Sequence, residues 1–534
     1  MEQKSETLYS KLTKFEEKDW DNQCKILEKI SMVTTDAYSQ GLADDVIRCF
    51  CFKNVNHNKL SKISESLISH KYQLASGDSP IQLTNVAADR LFIEALNKVF
   101  FVRLVTEEFI IAIRRILLTE FMSKASIDSS LINLVTGIAI YSGNNEYVYI
   151  IDDQEQEMLN GLIDLIKTLT SQHNWQPDDV AGSVIVYAMY NPLSELSMAN
   201  KLVEHGIDSW PQFSRKVLKK CLFDKFGEIE RSKQIPSLGV IEDGVSKDVQ
   251  EQYESNPYPR WTSISFEAPM IYGDLLQRNL KGFKAPKFTF NDNINILIAG
   301  CGTGRHALLV AKCFCNASIL AIDISRRSLS YAQKMAEKYN IHNVEFLHAD
   351  ILNLGKLNRK FHVIESSGVL HHMQNPIDGL RVLCNLLELQ GLIKLGLYSE
   401  TARRWVVMLR EIIKDKNLQA TPKDIRTFRK AIIGQEGEVF DLIRNCEDFY
   451  SMSGVRDLLF NCMEHRYTPN QIADICGELN LQFLGFFIKP EILKEYTKQY
   501  PDDINCTNLN NWQRFEQEQT AIFDNMYNFY CQKI

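Results

Sequence analysis

The chain has 534 residues, 45% apolar and 24% charged, with 60 Lys and Arg against 67 Asp and Glu for a formal net charge of −7. That length exceeds a single core and predicts several folded units, while the composition excludes a disordered or low-complexity chain. The acidic balance gives no general attraction for phosphate backbones, which disfavours nucleic acid as partner, and the 13 cysteines include no CxxC pair, which disfavours zinc and disulfide frameworks and fits a reducing compartment.

The start, Met1-Glu2-Gln3-Lys4-Ser5-Glu6, lacks the basic-then-apolar pattern of a signal peptide, and no uncharged run is long enough for a bilayer. A cytoplasmic protein with no membrane span is the expectation. Residues 1–80 read as a helical segment without a 34-residue repeat. Residues 81–240 read as a helical domain, as in Ala88 to Leu96, where apolar residues recur at three- and four-residue spacings. The run from Val99 to Met122 is strongly apolar, yet Arg103, Glu107, Glu108, Arg114 and Arg115 punctuate it, which predicts a buried helix. That domain is a candidate for substrate presentation or a homodimer contact.

Near Pro236 the chain turns polar, passes through a short helix and reaches Asn256-Pro257-Tyr258-Pro259-Arg260-Trp261, where two prolines forbid continued helix. A domain junction is expected there. From Ile294 to Tyr398 strands and helices then alternate, the sequence form of a parallel sheet covered on both faces, and residues 245–400 are read as that α/β domain. Residues 401–534 read as mainly helical, with Thr468-Pro469-Asn470-Gln471 as a capping box carrying proline at the first helical position.

The strand Ile294 to Ala299 runs into Gly300-Cys301-Gly302-Thr303-Gly304 and then a helical pattern. Glycines at such a turn let the backbone bend sharply and admit a ligand where a Cβ would collide. The third glycine comes one residue early for the dinucleotide fingerprint, which places pyrophosphate on the helix N-terminus. The second strand ends in Asp323-Ile324, where a carboxylate can accept from both ribose hydroxyls of an adenosine ligand. The third ends at Asp350-Ile351, where a carboxylate can accept from the adenine amino group. Helix capping is the alternative use of each aspartate. The fourth strand, Phe361 to Glu365, leads through Ser366 to His371 and His372 at the substrate crevice of an open sheet.

The order AGCGTG, IDIS, HAD and VLHH resembles class I S-adenosylmethionine (SAM)-dependent methyltransferases over about residues 291–398. The resemblance implies a doubly wound, Rossmann-like domain that binds SAM through Ala299, Gly300, Gly302, Gly304, Asp323, Ile324, Asp350, Ile351 and Ser366. Many relatives carry Asp second in the fourth strand, where this chain has His362, so no catalytic role is assigned to that position. The segments Asn145 to Tyr149, Tyr190 to Leu193, Tyr253 to Trp261, and Asp448 to Arg466 extend the likeness. They are similar to bacterial methyltransferases that carry tetratricopeptide repeats before the catalytic domain.

Asn256-Pro257-Tyr258 echoes the NPPY motif of DNA amino-methyltransferases, but it precedes the first strand instead of following the fourth. The preferred reading is a lid over SAM, with Tyr253 covering the cofactor and Arg260 near its carboxylate; aromatic linker packing is the alternative. Glu365, His371 and His372 are the catalytic candidates, because carboxylate and imidazole can take a proton from the acceptor. The sulfonium supplies the electrophile, so no metal is implied. The large helical regions favour a protein acceptor, through lysine or another nitrogen, over a small molecule. A non-catalytic SAM-binding regulator is the reading from a different class.

Overall fold

Five apolar runs between residues 294 and 398 become parallel strands: β1 (Ile294–Ala299), β2 (Ala317–Asp323), β3 (Val344–His348), β4 (Phe361–Ser367) and β5 (Leu387–Tyr398). The computed structural model describes residues 20–53, 55–75, 80–266, 268–291, 293–314 and 316–534; the start at residues 1–6 and Cys315 lie outside the described residues. The strands order as β3-β2-β1-β4-β5, so the winding direction reverses between β1 and β4. This is the doubly wound α/β arrangement, whose ligands sit beyond the carboxyl ends of the strands at that reversal.

The mainly helical C-terminal region adds two strands that the sequence reading did not separate from its helices. β6 (Leu481–Phe486) and β7 (Met526–Lys533) extend the sheet, with β7 antiparallel between β5 and β6. Leu297, Ile364, Leu395, Phe486 and Tyr527 share one core cluster, so burial against helices drives their pairing. The capping box is present: Thr468 Oγ1 accepts from the Gln471 amide at 3.3 Å and Gln471 Oε1 accepts from the Thr468 amide at 2.8 Å, with Pro469 opening the helix.

The chain forms two compact units. One gathers residues 229–259, 266–415 and 459–534 and holds the sheet. The other gathers the described residues up to Glu228 with residues 260–265 and 416–458, and its regular structure is helical. Two charged residues of the apolar run, Glu107 and Arg114, are buried inside this helical unit, while Arg103, Glu108 and Arg115 are exposed. In the helix Leu104–Lys124, Glu107 takes two hydrogen bonds from Arg429, at 3.0 and 2.7 Å, with both side chains buried. Arg114 donates to the Ile150 carbonyl at 2.5 Å and lies 4.0 Å over the Tyr190 ring. Pairing and hydrogen bonding of this kind make burial of charge tolerable. No helix of the described residues is long and apolar enough to cross a membrane.

Candidate functional site

The glycine loop sits where β1 ends. Gly300, Gly302 and Gly304 have φ of 81°, 51° and 84°. All three positions also carry close approaches, the one at Gly300 coming from the Val369 side chain. A Cβ on Gly302 would lie 2.6 Å from the Tyr258 carbonyl, and one on Gly304 would lie 2.4 Å from the Ala332 Cβ on the helix Arg326–Lys338. The group that approaches Gly302 is thus a backbone carbonyl of the segment before the sheet. Thr303 fastens the same segment, its amide donating to the Tyr258 carbonyl at 3.3 Å and its hydroxyl to the Pro259 carbonyl at 2.5 Å.

Tyr253 lies earlier in that segment. Its carbonyl accepts from the Ser325 hydroxyl at 3.1 Å, and Asn461 donates to its phenol oxygen at 3.3 Å. Arg260 belongs to the helical unit, where its Nε donates to Glu146 Oε1 at 2.7 Å. The other oxygen of Glu146 accepts from the Ser453 amide at 2.6 Å.

Asp323 ends β2 with only 8% of its surface exposed. Its carboxylate accepts from the amides of Gly302 at 2.7 Å and Ser325 at 2.9 Å, which ties the glycine loop to the next strand. Burial raises its pKa to about 6, against the lowering effect of the hydrogen bonds from Ser325 and Gly302. Asp350, also buried, caps the short turn Ile351–Lys356 by accepting from the Leu352 amide at 2.9 Å, the capping use weighed from the sequence. The Ile324 carbonyl is hydrogen-bonded to His348 Nε2 at 3.1 Å, and Ile351 is buried in the core cluster. Ser366 donates to the Ala299 carbonyl at 3.1 Å and joins β4 to β1.

These residues fit an adenosine-bearing ligand. Two buried carboxylates stand at the ends of β2 and β3, and each oxygen that takes an amide keeps further acceptor capacity. A pyrophosphate fits less well, because the loop amide of Gly302 is already spent on Asp323.

Glu365 does not stand alone on β4. Strand register sets it beside Lys394 on β5 and sets Lys394 beside Tyr530 on β7. Glu365 accepts from Lys394 Nζ at 3.3 Å and from the Tyr272 hydroxyl at 3.0 Å, and it pairs with His306 Nε2 at 2.7 Å. Burial alone would raise its pKa; Lys394, His306 and Tyr272 outweigh it and hold the carboxyl well below the usual range. Burial lowers and Glu365 raises the pKa of Lys394, with a net rise that keeps it cationic. None of these partners is assigned to Glu365 by the sequence alone. A signal existed for Lys394, the one charge in the apolar run Leu392 to Leu397, and none marked Tyr272 or Tyr530.

After β4, His371 is fully buried and neither ring nitrogen has a hydrogen-bond partner among the described residues. Burial, then the neighbouring His372, Arg403 and His465, lower its pKa well below the ordinary value, so it is neutral. His372 Nδ1 meets the Met463 carbonyl at 2.7 Å, and the His465 amide donates to the His371 carbonyl at 2.8 Å. The segment 461–467 therefore straps the loop that carries both histidines.

A family model described as a methyltransferase domain matches residues 290–442. An uncharacterized protein of Synechococcus sp. is 27% identical over 267 residues, covering 47% of this chain and 62% of that one. The release factor glutamine methyltransferase of Flavobacterium psychrophilum is 39% identical over 75 residues, 14% of this chain and 26% of that one. The malonyl-[acyl-carrier protein] O-methyltransferase of Bacillus anthracis is 27% identical over 134 residues, 25% of this chain and 48% of that one. The chain thus spans less than two thirds of the length of each of these relatives. Among solved structures, that of PKMT2 from Rickettsia typhi in complex with AdoHcy aligns at a TM-score of 0.39 and 17% identity, covering 52% of this chain and 55% of that one.

Proposed function

We propose that this chain, which matches a methyltransferase-domain family model over residues 290–442, is a class I SAM-dependent methyltransferase that transfers the methyl group of SAM to a nitrogen of a protein, with lysine the first candidate. The observation that carries the reading is the buried carboxylate of Asp323, which spans from the glycine loop to the end of β2 beside the reversal of the sheet. Ala299 and the three glycines would hold the amino-acid end of SAM. Asp323 and Ile324 would hold its ribose, and Asp350 and Ile351 its adenine. Tyr253 and the segment after it would cover the loop, and Ser366 would keep β4 in register with it.

Bound there, SAM supplies a methyl group on a sulfonium that leaves as a neutral thioether. The tasks left to this chain are to place the acceptor in line with that methyl, exclude water and remove one proton. We assign His371 and His372 to shaping the acceptor side of the loop after β4, beneath the strap 461–467.

Two features support a protein acceptor. The catalytic unit is accompanied by a helical unit with its own core, more structure than a small acceptor needs. A relative over 75 residues is, by its name, a methyltransferase of a release factor glutamine, which is a protein nitrogen.

The test is transfer of radiolabelled methyl from SAM by the full chain into a lysate of the source organism, separated into protein, RNA and small molecules. Label in the protein fraction is expected. Label only among small molecules would replace this reading with a small-molecule methyltransferase, and SAM binding with no transfer would make the chain a SAM-binding regulator.

A further inference from the structure

We propose that His306 is the proton acceptor of the reaction and that Glu365 is its positioning residue; this deepens the methyl-transfer reading and rests on it. A general base needs one nitrogen free to meet the acceptor and the other fixed by a buried group that selects the tautomer. His306, on the first turn of the helix Arg305–Cys313 that follows the glycine loop, has this arrangement. Its Nε2 lies 2.7 Å from Glu365 Oε2. Glu365 is 2% exposed and His306 is 39% exposed, so a buried carboxylate anchors a part-exposed ring through Nε2 and leaves Nδ1 as the nitrogen not engaged by Glu365.

The charge around the pair suits this role. The groups facing it are Lys394 from β5, Tyr272 from the helix Tyr272–Asn279 and Tyr530 from β7. Lys394 and Tyr272 satisfy Glu365 and keep it an anion, so the carboxylate itself is a poor base and serves as an acceptor for the Nε2–H. The same face continues one step toward the strand ends with Ser367 on β4 and Asn528 on β7, whose side chains meet at 3.3 Å and are partly exposed. Gly396 lies between them, and a Cβ there would fall 2.1 Å from the Ser367 hydroxyl. A polar floor without bulk therefore follows Glu365, the partner of His306, at the carboxyl ends of β4 and β5, where acceptors approach an open sheet.

In the step, Nδ1 takes the proton of an ammonium or amide N–H of the acceptor, and the freed lone pair forms the bond to the methyl carbon. The carbon–sulfur bond breaks with its pair going to sulfur. The products are the methylated nitrogen, a thioether and an imidazolium paired with Glu365, which returns its proton to solvent.

Nitrogen NMR of the full chain labelled at histidine reads the tautomer without any acceptor. The neutral His306 ring is expected as the Nε2–H form, and Glu365→Gln is expected to weaken that preference. With labelled lysate protein as acceptor, His306→Gln, which keeps an N–H for Glu365, is expected to lower kcat about a hundredfold at neutral pH. KM for SAM should stay within about twofold while the residual rate climbs with pH, and added imidazole should partly restore His306→Ala. An Nδ1–H ring overturns the proposal, as does His306→Gln with unchanged kcat and pH profile. If the wild type transfers no methyl to protein, the parent reading fails, and the tautomer still decides whether the pair is built as proposed.

Discussion

The imidazole of His371 lies on the ring of Tyr398, with centroids 3.6 Å apart and planes at 22°. The Arg403 guanidinium also stands 3.6 Å over Tyr398, and two groups so close cannot share one face, so the phenol is held between imidazole and guanidinium. Arg403 is fixed in turn by Glu464, at 3.0 and 2.7 Å. This stack keeps His371 neutral and dry. Ring-nitrogen NMR is expected to show His371 unprotonated at pH 6.5, where an ordinary histidine is half protonated. His371→Phe should preserve the stack and the melting temperature. Protonation of His371 at that pH would show that its nitrogens reach solvent.

Asp323 predicts a pH dependence of cofactor affinity. Its pKa is raised from 3.8 to about 6 by burial, and in the proposed role the ionised carboxylate would be the form that accepts from the ribose hydroxyls. SAM affinity should therefore fall as pH drops below about 6 and level off above it. With respect to folding the sign is opposite. A group whose folded pKa is raised contributes stability at low pH that is lost as pH rises through the window from 3.8 to about 6. Calorimetric titration with SAM at pH 5 and pH 7.5 checks the first effect, and Asp323→Asn should remove the pH dependence while weakening binding at least tenfold.

The glycine loop and the strand-end aspartates were legible in the sequence because their signals are local: an apolar run, a turn residue, then a helical period. The same holds for the capping box at Thr468. β7 was not legible, because its strand character depends on a partner more than a hundred residues away, Leu395 opposite Phe529, and its pattern Met526-Tyr527-Asn528-Phe529-Tyr530 is short. The surroundings of Glu365 were hidden for a related reason. His306, Tyr272, Lys394 and Tyr530 come from four separate elements that only the register and packing of the sheet bring together.

Removal of the lysine from that cluster has a defined consequence. Lys394→Met would leave Glu365 buried with its cationic partner gone, at a cost of roughly 2 to 4 kcal/mol, since breaking a buried pair strands the remaining charge. Because the folded pKa of Glu365 is depressed, the pair's stabilisation is full above the ordinary carboxylate range, begins to decline as pH enters it, and is lost as pH falls on through the depressed folded value. The deficit of Lys394→Met in urea unfolding should accordingly be large at pH 7 and smaller at pH 4. An equal deficit at both values would mean that the lysine acts through packing alone.

Arg260 yields a stability prediction. Its partner Glu146 is 10% exposed and also receives the Ser453 amide, so Arg260→Ala leaves a nearly buried carboxylate without its cation. Burial raises the pKa of Glu146, and Arg260 and Ser453 outweigh it to give a net lowering. A loss of roughly 2 to 3 kcal/mol is expected, and Glu146→Gln combined with Arg260→Ala should recover part of it. A melting temperature unchanged in Arg260→Ala would show that the pair is dispensable.

Methyl transfer to a protein nitrogen would be read from the chemistry of the label left on protein after incubation with tritiated SAM. Methylated nitrogen survives mild alkali, and acid hydrolysis should release the radioactivity as N-methylated amino acid, with methyl-lysine foremost. Radioactivity that escapes as methanol in mild alkali would mark a carboxylate ester and rule out nitrogen as the acceptor atom.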